Sequence, residues 1–181
     1  MSKSVILFAD GCEECEGLIV VDFLRRAGLD IKTVSIKDVP KVTSSHNITF
    51  ETDDILDNVS FDDIDMIILP GGIPGTPNLA ADERVCKLCV DFAANKKIAA
   101  ICAAPGILAK LGLLSGRRAT INPSLTADLI DAIVTNERVT VDGNIITGTS
   151  VGAAMEFAIE IIRLLEGDDL AESIASKTHM Y

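Results

Sequence analysis

Four short runs of this chain are almost wholly apolar: residues 4–9 (SVILFA), 65–70 (DMIILP), 97–102 (KIAAIC) and 144–148 (NIITG). Between them lie longer stretches whose apolar residues recur every three to four positions. Strands that are apolar on both faces and separated by helices predict a mostly parallel sheet covered on both sides. The expected fold is a flavodoxin-like α/β/α sandwich, a single domain over residues 1–181. A chain of this length buries roughly 70% of its unfolded surface, enough for a core on each face of such a sheet.

The intervening segments follow that plan. Residues 12–28 read as a helix closed by Gly28, and residues 30–36 as a second strand. Residues 37–60 are polar, with strand-like pieces around Val42 and at 48–50. In residues 81–96, Val85, Leu88, Cys89 and Phe92 share one helical face. A helix is expected over about 103–112, and strands at 118–121 and 138–143. The last strand pair reads as a hairpin turning at Asp142-Gly143. Residues 150–167 form a long helical pattern and residues 168–177 a short one.

Charge narrows the partners. Sixteen basic against 27 acidic residues give a net charge of −11. Nucleic acid and anionic membrane surfaces both require a basic footprint, so neither is expected. No apolar run approaches the ~20 residues of a membrane span. The N-terminal apolar run is too short for a secretory leader, so a cytoplasmic protein is expected. Five cysteines (Cys12, Cys15, Cys86, Cys89, Cys102), an odd number, argue for thiols rather than a disulfide framework.

In a sheet of this kind, sites lie beyond the carboxyl ends of the strands. Three loops qualify: residues 10–16, 70–78 and 102–105. Cys102 ends an apolar strand and is followed by small residues and Pro105. A residue at so sharp a strand-to-helix turn is lifted above the sheet edge. The nearby helix start favours thiolate, the reactive form. The competing reading is a small, inert core cysteine. Glu16 begins a helix at the same edge, where a carboxyl kept neutral by burial can share a proton with Cys102. Glu13 and Glu14 read instead as solvated acidic residues of the first turn. Gly71 and Gly72, in PGGIPG, permit close backbone approach. The amides of Gly72 and Ala103 are candidates for an oxyanion hole. GGIPG is not a G-x-G-x-x-G phosphate loop, so nucleotide binding is not expected.

Taken together, SVILFADGCEECE, DMIILPGGIPGTPNL, AAICAAPGIL and IITGTSVGAAMEFAIEIIRLLEG are similar to the ThiJ/PfpI superfamily. The likeness is greatest to its branch of deglycases and glyoxalases related to Parkinson disease protein 7. It runs over essentially the whole chain. The resemblance implies Cys102 as the reactive cysteine, Glu16 as its acid partner, and Gly72 and Ala103 as oxyanion amides. It also implies a homodimer, with Arg25 and Arg26 near the partner subunit. The implied chemistry is cofactor-free and acts on a small dicarbonyl or a glycated substrate.

One position departs from many relatives. Asn122, in TINPS, stands where they carry histidine; it can hydrogen-bond but cannot exchange a proton near pH 7. His46 aligns with a loop that in relatives approaches the partner subunit's site, where it would supply a cation. The competing reading is an exposed loop histidine.

Other readings are weaker. Cys12/Cys15 and Cys86/Cys89 form two C-x-x-C pairs, but 70 residues separate them and Cys89 lies on an apolar helix face, so no metal is expected. Ala103 stands where related peptidases carry histidine, and there is no G-x-S-x-G. An alternative function of a different class is a thiol redox sensor or redox-regulated chaperone, acting through oxidation of Cys102.

Overall fold

A computed structural model describes residues 1–180. Strand β1 (Lys3–Phe8) leads into helix α1 (Glu14–Arg26) and strand β2 (Asp30–Ser35). A small antiparallel excursion follows, β3 (Lys41–Thr43) with β4 (Thr49–Glu51), and then β5 (Asp54–Ile55). Strand β6 (Met66–Leu69) is followed by α2 (Gly75–Ala81), α3 (Glu83–Asn95) and β7 (Lys97–Ile101). The short helix α4 (Pro105–Lys110) comes next, then β8 (Arg118–Ala119), β9 (Ile133–Val134), β10 (Val139–Asp142) and β11 (Ile145–Gly148). Helices α5 (Ala154–Glu166) and α6 (Asp168–Lys177) complete the described chain.

The main sheet has seven strands in the order β10-β11-β7-β6-β1-β2-β5. Every pairing in it is parallel except the edge hairpin β10–β11. The apolar runs produce this directly, because each strand serves two cores. Ile6, Phe8, Ile68, Ala99 and Ile101 belong to one core with residues of α1, α5 and α6. Val5, Leu7, Ile67, Leu69, Ile98 and Ala100 belong to the other with residues of α3 and α4. Alternate side chains of a strand point to opposite faces, so a central strand with helices on both sides has no polar side to offer. The mostly parallel α/β sandwich expected from the sequence is therefore the observed one.

Three local expectations change. The strand expected at 118–121 shrinks to Arg118–Ala119 and pairs with β9, outside the main sheet. Thr120 cannot continue it there, because its N–H is taken by the Thr147 hydroxyl at 2.9 Å. The hairpin turns one residue later than expected: Asp142 pairs with Ile145, leaving Gly143-Asn144 as the two-residue loop. Gly143 has φ +60°, the conformation that a tight hairpin requires at its first central position. The helix expected at 103–112 is confined to Pro105–Lys110.

Candidate active site

Cys102 follows β7 directly and has φ +64°, in the left-handed region that non-glycine residues rarely occupy. Such a conformation costs about 1–3 kcal/mol and persists only where its surroundings enforce it. Here the Cys102 N–H donates to the Gly148 carbonyl at 2.9 Å, and its carbonyl accepts from the Asn122 N–H at 3.0 Å. The strained turn aims the thiol across the sheet edge toward the start of α1.

Glu16 is waiting there. It lies in the first turn of α1 and is 1% exposed. Its N–H donates to the Glu13 carboxylate at 2.6 Å, the cap of the helix. Its own carboxyl accepts from the Gly71 N–H at 3.0 Å and is hydrogen-bonded to Cys102. Burial, the largest influence, pushes the Glu16 carboxyl up to about 7. The amides of Gly71 and Val151 pull the other way. Burial likewise pushes the Cys102 thiol up to about 11, followed by the charge of Glu16; Asn122 and the Gly72 amide oppose the rise. These values belong to the pair. The two groups hold two protons below about 7 and one shared proton between about 7 and about 11. The raised thiol corrects the expectation that the helix start would favour thiolate. Burial outweighs the end of a six-residue helix.

Gly71 and Gly72 are required by close contacts. A Cβ at Gly71 would fall 2.5 Å from the Cys102 Cβ and 2.6 Å from Glu16 Oε2. A Cβ at Gly72 would fall 2.3 Å from the Glu13 nitrogen, and the residue has φ +97°. The Gly72 amide faces Cys102. The Ala103 amide donates to no group among the described residues.

Asn122 Nδ2 stands 3.7 Å from the Cys102 sulfur. Its Oδ1 accepts from the Ser124 N–H at 3.0 Å and from the Ser124 hydroxyl at 2.7 Å. Those bonds fix the amide with its nitrogen, the donor, toward sulfur.

His46 is placed away from the dyad within the chain. Its Nδ1 lies 2.9 Å from Glu14 Oε1. Glu14 is buried, not solvated as its sequence position suggested. Burial opposes its ionisation, but its own amide and His46 hold its carboxyl below the usual range. Glu13, Glu14 and His46 bring ligand atoms within 4.8 Å of one another, an arrangement also common without any ion. Arg25 pairs with Asp53 at 2.7 Å and Arg26 with Asp22 at 2.6 Å, both within the chain.

The two C-x-x-C pairs do not converge. Cys12 belongs to the core on one face of the sheet and Cys89 to the core on the other. All five cysteines are free. Sequence reasoning missed the parts played by Glu13 and Ser124. A capping pattern could have revealed Glu13, whereas only the fold brings Ser124 to bear on the thiol through Asn122.

Fold and site define an α/β protein with a cysteine on a strained strand-to-helix turn, facing a buried carboxyl. The chain belongs to the DJ-1/PfpI family, whose model matches residues 2–164. It is 36% identical over 179 residues to protein dj-1beta of Drosophila melanogaster, covering 97% of this chain and 96% of that one. A deglycase of Pyrococcus abyssi is 30% identical, covering 91% and 99%. The structure of Toxoplasma gondii DJ-1, oxidized, superposes with a TM-score of 0.94 at 30% identity, covering 98% of each chain. Among the described residues, no helix is long and apolar enough to cross a membrane.

Proposed function

We propose that the protein is a cofactor-independent glyoxalase or deglycase acting on methylglyoxal, glyoxal or early glycation adducts. The observation that carries this reading is the Glu16 carboxyl, 1% exposed, raised to about 7 and hydrogen-bonded to Cys102. A carboxyl that exchanges its proton near neutral pH is suited to general acid–base work. With the proton on Glu16, the Cys102 thiolate adds to the aldehyde carbon and a carbon–sulfur bond forms. The new oxyanion takes hydrogen bonds from the Gly72 and Ala103 amides and then the proton from Glu16, giving a hemithioacetal and a Glu16 carboxylate. Glu16 removes the proton from that carbon and returns one to the neighbouring carbon. The first carbon becomes a thioester and the second an alcohol, so oxidation and reduction balance within the substrate. Water cleaves the thioester, releasing a 2-hydroxy acid and the free thiol. No step needs a proton from residue 122, so Asn122 suffices as a donor to sulfur.

The naming of the P. abyssi relative as a deglycase supports the reading. The test is conversion of methylglyoxal to lactate by purified protein beside Cys102→Ala and Glu16→Gln. Turnover lost in both variants supports it. Absence of turnover in folded, reduced wild type sinks it.

A second reading, a thiol redox sensor or redox-regulated chaperone, draws on the same dyad and on the oxidised form named for the T. gondii relative. Glu16 and the free amides can hydrogen-bond an oxidised sulfur. Oxidation of Cys102 by mild peroxide ahead of the exposed Cys15, with no dicarbonyl turnover, would favour it.

A homodimer and a reducing, cytoplasmic setting are part of the proposal. Exposed Leu18, Val151 and Met155 and the five free thiols are in keeping with both. Sedimentation of the purified protein tests the dimer.

A further inference from the structure

A pocket of about 360 Å³ has walls that include Ile73, Thr76, Ala103, Lys110, Leu125 and Asp128. Ala103, one of the two candidate oxyanion amides, lines it, and Ile73 follows the other, Gly72, in the chain, which ties the pocket to the Cys102 centre. Its volume falls in the range of roughly 300–1,000 Å³ typical of small-molecule clefts. Methylglyoxal, among the smallest dicarbonyls, would fill little of it.

Its polar groups are unspent. Lys110, in the last turn of α4, and Asp128 line the same pocket, and neither has an ion pair or side-chain hydrogen bond among the described residues. Asp128 leans over the start of α4: a Cβ on Gly106 would meet its Cβ at 3.5 Å. In the wall, the Thr76 hydroxyl is buried without a partner. An unpaired buried hydroxyl is unfavourable by about 1–3 kcal/mol until something bonds to it.

A cation and an anion free on one largely apolar pocket match a zwitterion carried on an apolar stem. We infer that this pocket is a second subsite of the Cys102 centre and takes the amino-acid part of a dicarbonyl adduct. The substrate class is then a free glycated amino acid rather than a glycated residue within a protein. Its α-carboxylate lies at Lys110, its α-ammonium at Asp128, and its stem against Ile73 and Leu125. The inference rests on the proposed dicarbonyl chemistry for its substrate, but not for its test.

That test is calorimetric binding to wild-type protein of Nε-(1-carboxyethyl)lysine, a stable compound that is not turned over. The comparison is the same compound acetylated at Nα and amidated at its carboxyl, which mimics a residue in a chain. The free form is expected to bind about ten-fold more tightly or better, the effect of one charged hydrogen bond. Lys110→Met and Asp128→Asn should each bring the two forms to within about three-fold, with circular dichroism unchanged. Equal binding of both forms, or no binding of either at millimolar concentration, overturns the inference. Methylglyoxal turnover is measured in parallel. Turnover without discrimination removes the subsite and leaves the proposed chemistry; discrimination without turnover does the reverse.

Discussion

The backbone N–H of Gly71 donates to the carboxyl of Glu16 at 3.0 Å, joining the end of β6 to the first turn of α1. The same glycine leaves no room for a side chain between Glu16 and Cys102. Gly71→Ala is therefore expected to push the dyad apart. Overpacking of this kind costs about 1–3 kcal/mol. The variant should fold with a lowered melting temperature and lose about 100-fold or more in kcat/KM on methylglyoxal. Near-normal turnover would show that the dyad does not need its observed spacing.

The pair must lose one proton before a thiolate can exist beside a neutral carboxyl. That loss occurs near pH 7. The kcat/KM profile should therefore fall as pH drops below about 7 and stay level above it until the pair loses its second proton near 11. Glu16→Gln should lower the plateau by about 10²–10⁴-fold, the usual contribution of a general acid–base group, and remove the limb near 7. An unchanged limb in that variant would assign it to another group.

The same shift affects stability. The folded carboxyl binds its proton more tightly than an ordinary one near 4.5. Between 4.5 and about 7 the folded state holds more protons than the unfolded state. Stability from this group is full below 4.5 and is lost as pH rises through about 7. Gln does not titrate, so Glu16→Gln should be more stable than wild type at pH 8, by on the order of 3 kcal/mol. Thermal unfolding at pH 8 and at pH 4.5 measures the difference, which should vanish at the lower pH.

Asn122 donates toward sulfur and opposes the rise of the Cys102 thiol. Asn122→Leu should slow alkylation of Cys102 by iodoacetamide about several-fold at pH 8, since a hydrogen bond to a charged group is worth about 1.5–3 kcal/mol at better geometry. The order of labelling, read by mass spectrometry, is a further check. Exposed Cys15 should react ahead of Cys12 and Cys89, which are buried and pushed up to about 12.

His46 is bonded to Glu14, and that bond raises its pKa. The stabilisation is complete below the ordinary histidine value of 6.5 and fades as pH rises through the raised one. His46→Ala should lower the melting temperature at pH 6 and lower it less at pH 9. Turnover should hold if the histidine acts only within its own chain; a fall in turnover would report the contact across subunits.

Much of the molecule was legible from periodicity. The runs at 4–9, 65–70 and 97–102 are buried strands because no alternation of polar residues gives them a solvent side. The position of Cys102 at a turn, and of Glu16 at a helix start on the same edge, follows from strand and helix boundaries. What tertiary structure decided is environment. Glu14 and Glu16 share one helical turn with Glu13 and look alike in sequence, yet burial raises Glu16 while the bond to His46 helps hold Glu14 below the usual range. The thiol's affinity for its proton follows from burial and from Glu16, Gly72 and Asn122, which lie far from Cys102 in the chain, so no local pattern could report it. The pocket walled by Ile73, Ala103 and Asp128 likewise joins three distant segments. Periodicity records which side of an element is apolar; it carries no distance between elements, and charge, strain and cavity shape depend on those distances.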